Sequence, residues 1–335
     1  MTGTVTELAT PEVRDYWKHV EADDLSGALG AAVSLIEQGW SVTDIVERLL
    51  TPTQHHVGQL WADDAWSVSR EHAATALNEA VLRRVGTIRR TSQTKPAGAE
   101  VLVVCAESEW HALPGLAVTV LLNDQDVPAV FLGADLHVPA VHHETVRLNT
   151  RAVVVSASLA SSLPYVQRLV EVVRSARVPV VVGGSAFDPD GLRAAALGAT
   201  AHAERGGALP DVIRALPARV APLVLVRSAA REEAEQLTAR RRDIAAAAMT
   251  ALTLTSERDW RDFVDDQLPH VLGALEAALI VNDPGAVSQA WDWLEQVLER
   301  RGGHGVVEAV RSAVTQAVRE FPLASRMLAD VAPPR

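Results

Sequence analysis

Two short segments hold the residue types best suited to chemistry. Glu109, Trp110 and His111 (ESEWHALPG) directly follow the apolar run VLVVC. A metal-ligating imidazole usually gives its second ring N–H to a carboxylate, which fixes the tautomer and raises the basicity of the ligating nitrogen. Glu109 stands two residues before His111 and could play that part, although one Glu near one His also describes an incidental pair in a surface loop. The second segment, WADDAWSVSREH, carries Trp61, nine intervening residues, and then Glu71 and His72. A broad indole can fill space over a bound group, and a carboxylate can accept from its hydroxyls. The plainer reading makes Trp61 and His72 helix core and Glu71 a solvated charge.

Both segments need elements to hold them. From residue 11 to 91 the apolar positions recur at three- and four-residue spacing, as in LSGALGAAVSLIEQGW and VTDIVERLLTPTQHHVGQLW, and predict a four-helix bundle with Ser41 as a cap. The polar stretch Thr91 to Glu100, with Pro96 and Gly98, reads as a linker. From 98 to 218 the pattern becomes VLVVC, AVFLG, AVVVS, VPVVVGG and a weaker ATAHA, each followed by a helical stretch. Short, nearly continuous apolar strands alternating with helices predict a five-stranded, doubly wound parallel sheet of the flavodoxin-like α/β type. Ligands of such sheets sit beyond the carboxyl ends of the strands. ESEWHALPG, SASLASS and GGSAF fall there, after the first, third and fourth strands. Beyond the break from Pro217 to Pro222, residues 223 to 332 read as a second all-α domain, unrelated to the first.

Taken in order, these motifs resemble the cobalamin-binding domain of methionine synthase, corrinoid carrier proteins and CarH-type light-dependent regulators. That signature is Asp-x-His-x-x-Gly after the first strand, a Ser-containing loop after the third and Gly-Gly after the fourth. Glu109-Trp110-His111, Ser156-Ala157-Ser158-Leu159 and Gly183-Gly184 stand at the matching positions. The resemblance implies His111 as lower axial ligand to cobalt, with Glu109 behind it. It also implies that the nucleotide tail runs past Ser156, Ser158, Gly183 and Gly184, glycine letting the tail approach closely. Trp61 with Glu71-His72 is similar to the lid motif that covers adenosylcobalamin in CarH-type proteins, and Val68 belongs to the same lid set. The departures concern the loop that carries His111. Glu109 replaces Asp, Pro114 takes the motif glycine's place with Gly115 one position late, and Ser158 ends the Ser motif where the family has Leu. Ala62 stands where a light-state histidine can follow the lid tryptophan.

Composition narrows the function classes. A net charge of −11 disfavours a nucleic-acid surface, which needs clustered Lys and Arg. The runs Arg83-Arg84 to Arg89-Arg90 and Arg240 to Arg242 read as solvated or dipole-complementing faces. The single cysteine, Cys105, reads as a buried strand residue. No stretch approaches a membrane helix and the N-terminus lacks a signal-peptide pattern, so a cytoplasmic protein is expected. The C-terminal helices resemble the domain appended in photocobilins. Trp291 and Trp293, with Arg300 and Arg301, imply a slot for non-covalent biliverdin, while a plain dimerisation bundle explains the same residues. The function expected is a light sensor holding adenosylcobalamin, not an enzyme, forming a homo-oligomer and acting on an unidentified downstream protein. The alternative is a corrinoid methyl carrier for a methyltransferase system. A radical mutase is disfavoured because no large substrate barrel is present.

Overall fold

In the computed structural model, residues 10–90, 101–253 and 259–331 are described. The expected linker from Thr91 to Glu100 lies outside them, as does the first part of the N-terminus. The N-terminal bundle comprises α1 (Pro11–Glu21), α2 (Leu25–Glu37), α3 (Val42–Asp44), α4 (Thr51–Ala62) and α5 (Val68–Arg90). Ser41 caps α3 as expected, with Asp44 returning a bond to its backbone N–H in a capping box. Between α3 and α4, Ile45–Leu50 form a π-helical turn, so the third predicted helix is one continuous rod with a widened turn. Pro52 has no N–H, and the Thr51 N–H pairs five residues back with Val46 O. The widened turn thus absorbs a proline that would otherwise break the helix.

The sheet consists of β1 (Val101–Cys105), β2 (Ala129–Gly133), β3 (Ala152–Ser156), β4 (Val180–Gly183) and β5 (Ala201–Ala203). Its order is β2-β1-β3-β4-β5 and every described pairing is parallel. Helices α6 (Ala112–Asp124), α7 (Val138–Arg147), α8 (Leu163–Ser175) and α9 (Leu192–Ala196) make the connections, and α10 (Leu209–Ala215) follows β5. This is the doubly wound α/β fold that the strand pattern predicts. Alternate side chains divide the strands between two cores. Val101, Val103, Val154 and Val181 meet Leu122, Leu209 and Ile213 on one face. Leu102, Val104, Val153, Val155, Val180 and Val182 face α8 on the other.

Among the described residues five further helices follow: α11 (Ala229–Ala251), α12 (Arg261–Val281), α13 (Gly285–Arg300), α14 (Val306–Ala317) and α15 (Pro322–Asp330). Their apolar side chains, Leu272, Leu275 and Trp291 among them, join the second sheet core without a break, together with Trp260 just before α12. The bundle core reaches the sheet differently, through Leu116, Val120 and Leu121 of α6. The sheet is therefore flanked by both helical sets. Arg240 and Arg242 are exposed as expected, but Arg241 departs from the expected solvated face. The run lies inside α11, and Arg241 pairs with the fully buried Glu276 at 2.5 Å while donating to the Tyr165 hydroxyl at 3.1 Å.

Candidate functional site

The loop after β1 is anchored around Glu109, a carboxylate with no solvent exposure. Its Oε1 accepts from the backbone N–H of His111 at 3.1 Å and from His111 Nδ1. Its Oε2 accepts from the backbone N–H groups of Ser158 and Leu159, at 2.7 and 3.2 Å. One carboxylate thus ties the β1 loop to the β3 loop. The loop after β2 joins them, because Asp135 accepts from the Ser108 N–H at 2.8 Å and donates its own N–H to Glu109 O at 3.1 Å. Ser108 sits at φ 64, a left-handed conformation that this side-chain bond helps hold. Asp135 was not singled out from sequence, and its one legible signal is a polar residue just past the end of β2.

His111 is the half of the pair that faces outward, with its side chain 55% exposed. Nδ1 is engaged by Glu109, so Nε2 carries the nitrogen available to a metal. The Glu109 hydrogen bond raises the His111 pKa, and this outweighs the opposing effect of burial. On Glu109 burial pushes upward, but the bonds from His111 and Ser158 and the imidazole charge prevail and hold the carboxyl below its ordinary range. Trp110 beside it is 74% exposed. Cys105 is buried in β1 as expected, and burial pushes its thiol up to about 12.

Two further elements approach this loop. Glu71, near the start of α5, contributes to the field that favours protonated His111. From α12, His270 feels the charges of both Glu109 and His111, its pKa is lowered chiefly by burial, and its Nδ1 lies 3.3 Å from Ser161 Oγ. Gly273, one turn further on, packs so closely that a Cβ would come within 2.9 Å of the Ser161 side chain. Nothing in the sequence pattern joins His270 to the ligand candidate; the fold turns it toward the β3 loop.

The residues expected to form a lid are not helix core. Val68 is 54% exposed, and His72 lies on the surface with Nδ1 2.8 Å from Val68 O and 2.7 Å from Glu71 Oε2. Glu71 also accepts from Thr75 at 2.8 Å. Trp61, half-buried at the end of α4, stacks on Trp293 with ring centroids 5.9 Å apart. Trp291 is 1% exposed in the C-terminal core and its indole N–H has no acceptor among the described residues. Trp291 and Trp293 therefore have different surroundings, as residues two apart on a helix must. Ser156 is buried at the end of β3, and the Ser158 carbonyl accepts from Ser185 Oγ at 2.8 Å. Gly183 and Gly184 have an additional reason to be glycine. At Gly184, φ is +110 and a Cβ would meet Ala157 O at 2.2 Å; at Gly183 it would meet Ala203 O at 2.8 Å. Gly115 lets α6 sit on β1, where a Cβ would come 2.7 Å from Phe131 and 3.1 Å from Cys105 Sγ.

Residues 99–213 match the family model described as a B12 binding domain, and residues 14–85 match a second model described in the same words. Both segments are B12-binding domains. The chain is a cobalamin-binding protein, and the sheet with its β1 loop is the domain matched by the first model. Among solved structures, the monomethylamine corrinoid protein of Methanosarcina barkeri is 17% identical, the match covering 59% of this chain and 94% of that one with a TM-score of 0.49. The methanol:cobalamin methyltransferase complex MtaBC of the same organism is 16% identical, over 63% of this chain and 83% of that one, with a TM-score of 0.32. A cobalamin-binding protein from Desulfitobacterium hafniense DCB-2 is 11% identical, over 60% and 97%, with a TM-score of 0.34. No curated protein matches the chain.

The side chains fit a cobalt corrinoid. An imidazole has one nitrogen held by a buried carboxylate and the other available, and exposed apolar groups, Trp110 and Val68, stand on the neighbouring loop and lid. No helix among the described residues is long and apolar enough to cross a membrane.

Proposed function

We propose that the chain is a light sensor that holds adenosylcobalamin between the N-terminal helices and the carboxyl end of the sheet, with His111 as lower axial ligand. The observation that carries this reading is the buried Glu109 carboxylate, which engages Nδ1 of His111 and leaves Nε2 for cobalt. In that role Glu109 fixes the imidazole tautomer and sets its basicity. Trp61, Val68, Glu71 and His72 cover the upper ligand. Glu71 retains acceptor capacity beyond its bonds to His72 and Thr75, since a carboxylate offers about four lone-pair sites. Ser156, Ser158, Gly183 and Gly184 border the path of the nucleotide tail. Bound adenosylcobalamin supplies a cobalt–carbon bond that light cleaves. The chain supplies the ligand, the fitted pocket and an interface between helical sets that can exist in two arrangements.

Residues 11–91, 98–218 and 223–332 act in this reading as cap, cofactor domain and C-terminal output or pigment domain of a cytoplasmic homo-oligomer. Biliverdin is the second pigment proposed. Among the described residues neither Trp291 Nε1 nor Arg311 Nε, both buried, has an acceptor, and the Arg311 guanidinium lies 4.9 Å from the Trp291 ring centre, so an acceptor-bearing ligand would satisfy both donors. Attachment is non-covalent, because Cys105 is the sole thiol and lies buried in β1.

The test compares purified protein loaded in the dark with adenosylcobalamin or with methylcobalamin. Green light is expected to change the absorption spectrum and the apparent mass of the adenosylcobalamin form, while dark samples stay constant. Identical behaviour in light and dark contradicts the sensor. Exclusive uptake of methylcobalamin favours the methyl carrier instead.

A further inference from the structure

The lid tryptophan is gripped from outside its own bundle. Arg301, at the end of α13, places its guanidinium 4.7 Å from the centre of the Trp61 ring. The same side chain donates through Nη2 to Trp61 O at 2.6 Å and through Nε to Ala62 O at 3.3 Å. Trp293 covers the indole, the two rings lying within 16° of parallel. Arg300 pairs with Asp63 at 2.8 Å and Arg301 lies 3.8 Å from Asp64, with the Arg301 side chain only 9% exposed. These contacts join positions some 240 residues apart in sequence.

Each contact has a physical reason to act on Trp61. The last carbonyls of a helix lack intrahelical partners and carry the negative end of its dipole, so they attract a cation. α4 has no basic residue in its own last turn. Arg301 provides that cation from another part of the chain, and its planar fork can serve two carbonyls while lying against an indole. A point charge or an apolar side chain could not do all three.

We infer that Arg301 and Trp293 are positioning residues for the upper-ligand pocket: the C-terminal helices fix the Trp61 indole and thereby set which upper cobalt ligand the site retains. The inference rests on the adenosylcobalamin reading above. In that reading a bulky adenosyl group would pack against Trp61, whereas a hydroxide would be too small to reach it. Loss of the clamp therefore weakens retention of adenosylcobalamin selectively. By the same contacts, displacement of Trp61 is felt directly by α13.

The test uses the full-length protein and the variants Arg301→Ala, Arg301→Lys and Trp293→Ala, with adenosylcobalamin and hydroxocobalamin titrated in the dark by absorption. Arg301→Ala is expected to weaken adenosylcobalamin binding about tenfold, the equivalent of about 1.4 kcal/mol, and hydroxocobalamin binding less than about twofold. Arg301→Lys falls between wild type and Arg301→Ala. A second readout needs no cofactor. In apoprotein labelled with 5-fluorotryptophan, the resonance assigned to Trp61 through Trp61→Phe moves in Arg301→Ala and Trp293→Ala, while the melting temperature stays near that of wild type. Equal loss of both cobalamins, unchanged adenosylcobalamin binding, or an unmoved Trp61 resonance overturns the inference. Wild-type protein that takes hydroxocobalamin and refuses adenosylcobalamin overturns the adenosyl reading and the selectivity together, and the fluorine signal separates that failure from failure of the clamp.

Discussion

Glu109 combines no exposure with four bonds, from His111 Nδ1 and from the backbone N–H groups of His111, Ser158 and Leu159. The His111 pKa is raised and that of Glu109 lowered, so the pair contributes most between the ordinary carboxylate and imidazole values. Its contribution fades as pH climbs through the raised imidazole value, or falls through the lowered carboxyl value. Proton NMR of the apoprotein should therefore find His111 titrating above 6.5, and Glu109→Gln should bring the midpoint down. A midpoint that does not move in the variant contradicts the pairing. Glu109→Ala also strands the N–H groups of Ser158 and Leu159 and is expected to cost about 1–3 kcal/mol in a urea melt. Cys105, with its thiol pushed up to about 12, should resist iodoacetamide at pH 8 until the chain unfolds. Rapid alkylation of native protein would show β1 to be open.

At the scale of elements, α11 and α12 are joined by a buried ion pair whose loss has a definite sign. Glu276 has no exposure and accepts from Arg241 at 2.8 and 2.5 Å and from Thr238 at 3.0 Å. Arg241→Ala leaves that carboxylate buried without its cation and is expected to destabilise the protein by about 3–5 kcal/mol in chemical unfolding. A change below about 1 kcal/mol would mean that water reaches the pair. The two residues also show where sequence reading stops. The strands were legible because short apolar runs with turn residues between them have few other solutions, and β1 to β5 fall where those runs stand, the weaker Ala201–Ala203 included. The ligand candidate was legible because Glu109 and His111 are neighbours in one loop. A basic run on a helix, by contrast, reads as solvated, and nothing local announces that Glu276, thirty-five residues away, will bury Arg241. Arg301 on Trp61 was hidden for the same reason. The widened turn before α4 follows from Pro52, yet the pattern around it remains helical and gives no sign of the extra residue.

At the scale of the whole molecule, the C-terminal helices are part of the sheet's packing. Trp260, Leu272, Leu275 and Trp291 share one core with Leu102, Val153 and Val182. Arg193, 4% exposed beyond β4, fastens the two by donating to Asp283 at 2.7 Å, Gln289 at 2.8 Å and Ala186 O at 2.9 Å. A chain ended near residue 220 would bare that face, and it should aggregate or bind a hydrophobic dye strongly. A truncated protein that melts as sharply as the full chain would show the sheet to be independent of the helices. The bundle touches the sheet through α6 and the C-terminal helices through Trp61, so a change at Trp61 has a direct route to the C-terminal helices. The decisive measurement is the electron paramagnetic resonance spectrum of the protein's cobalt(II) corrinoid after growth with 15N-histidine. Ligation through His111 predicts that the axial-nitrogen triplet becomes a doublet, and that His111→Ala abolishes the doublet. A triplet unchanged by the label would leave the cofactor's own base on cobalt and contradict the account.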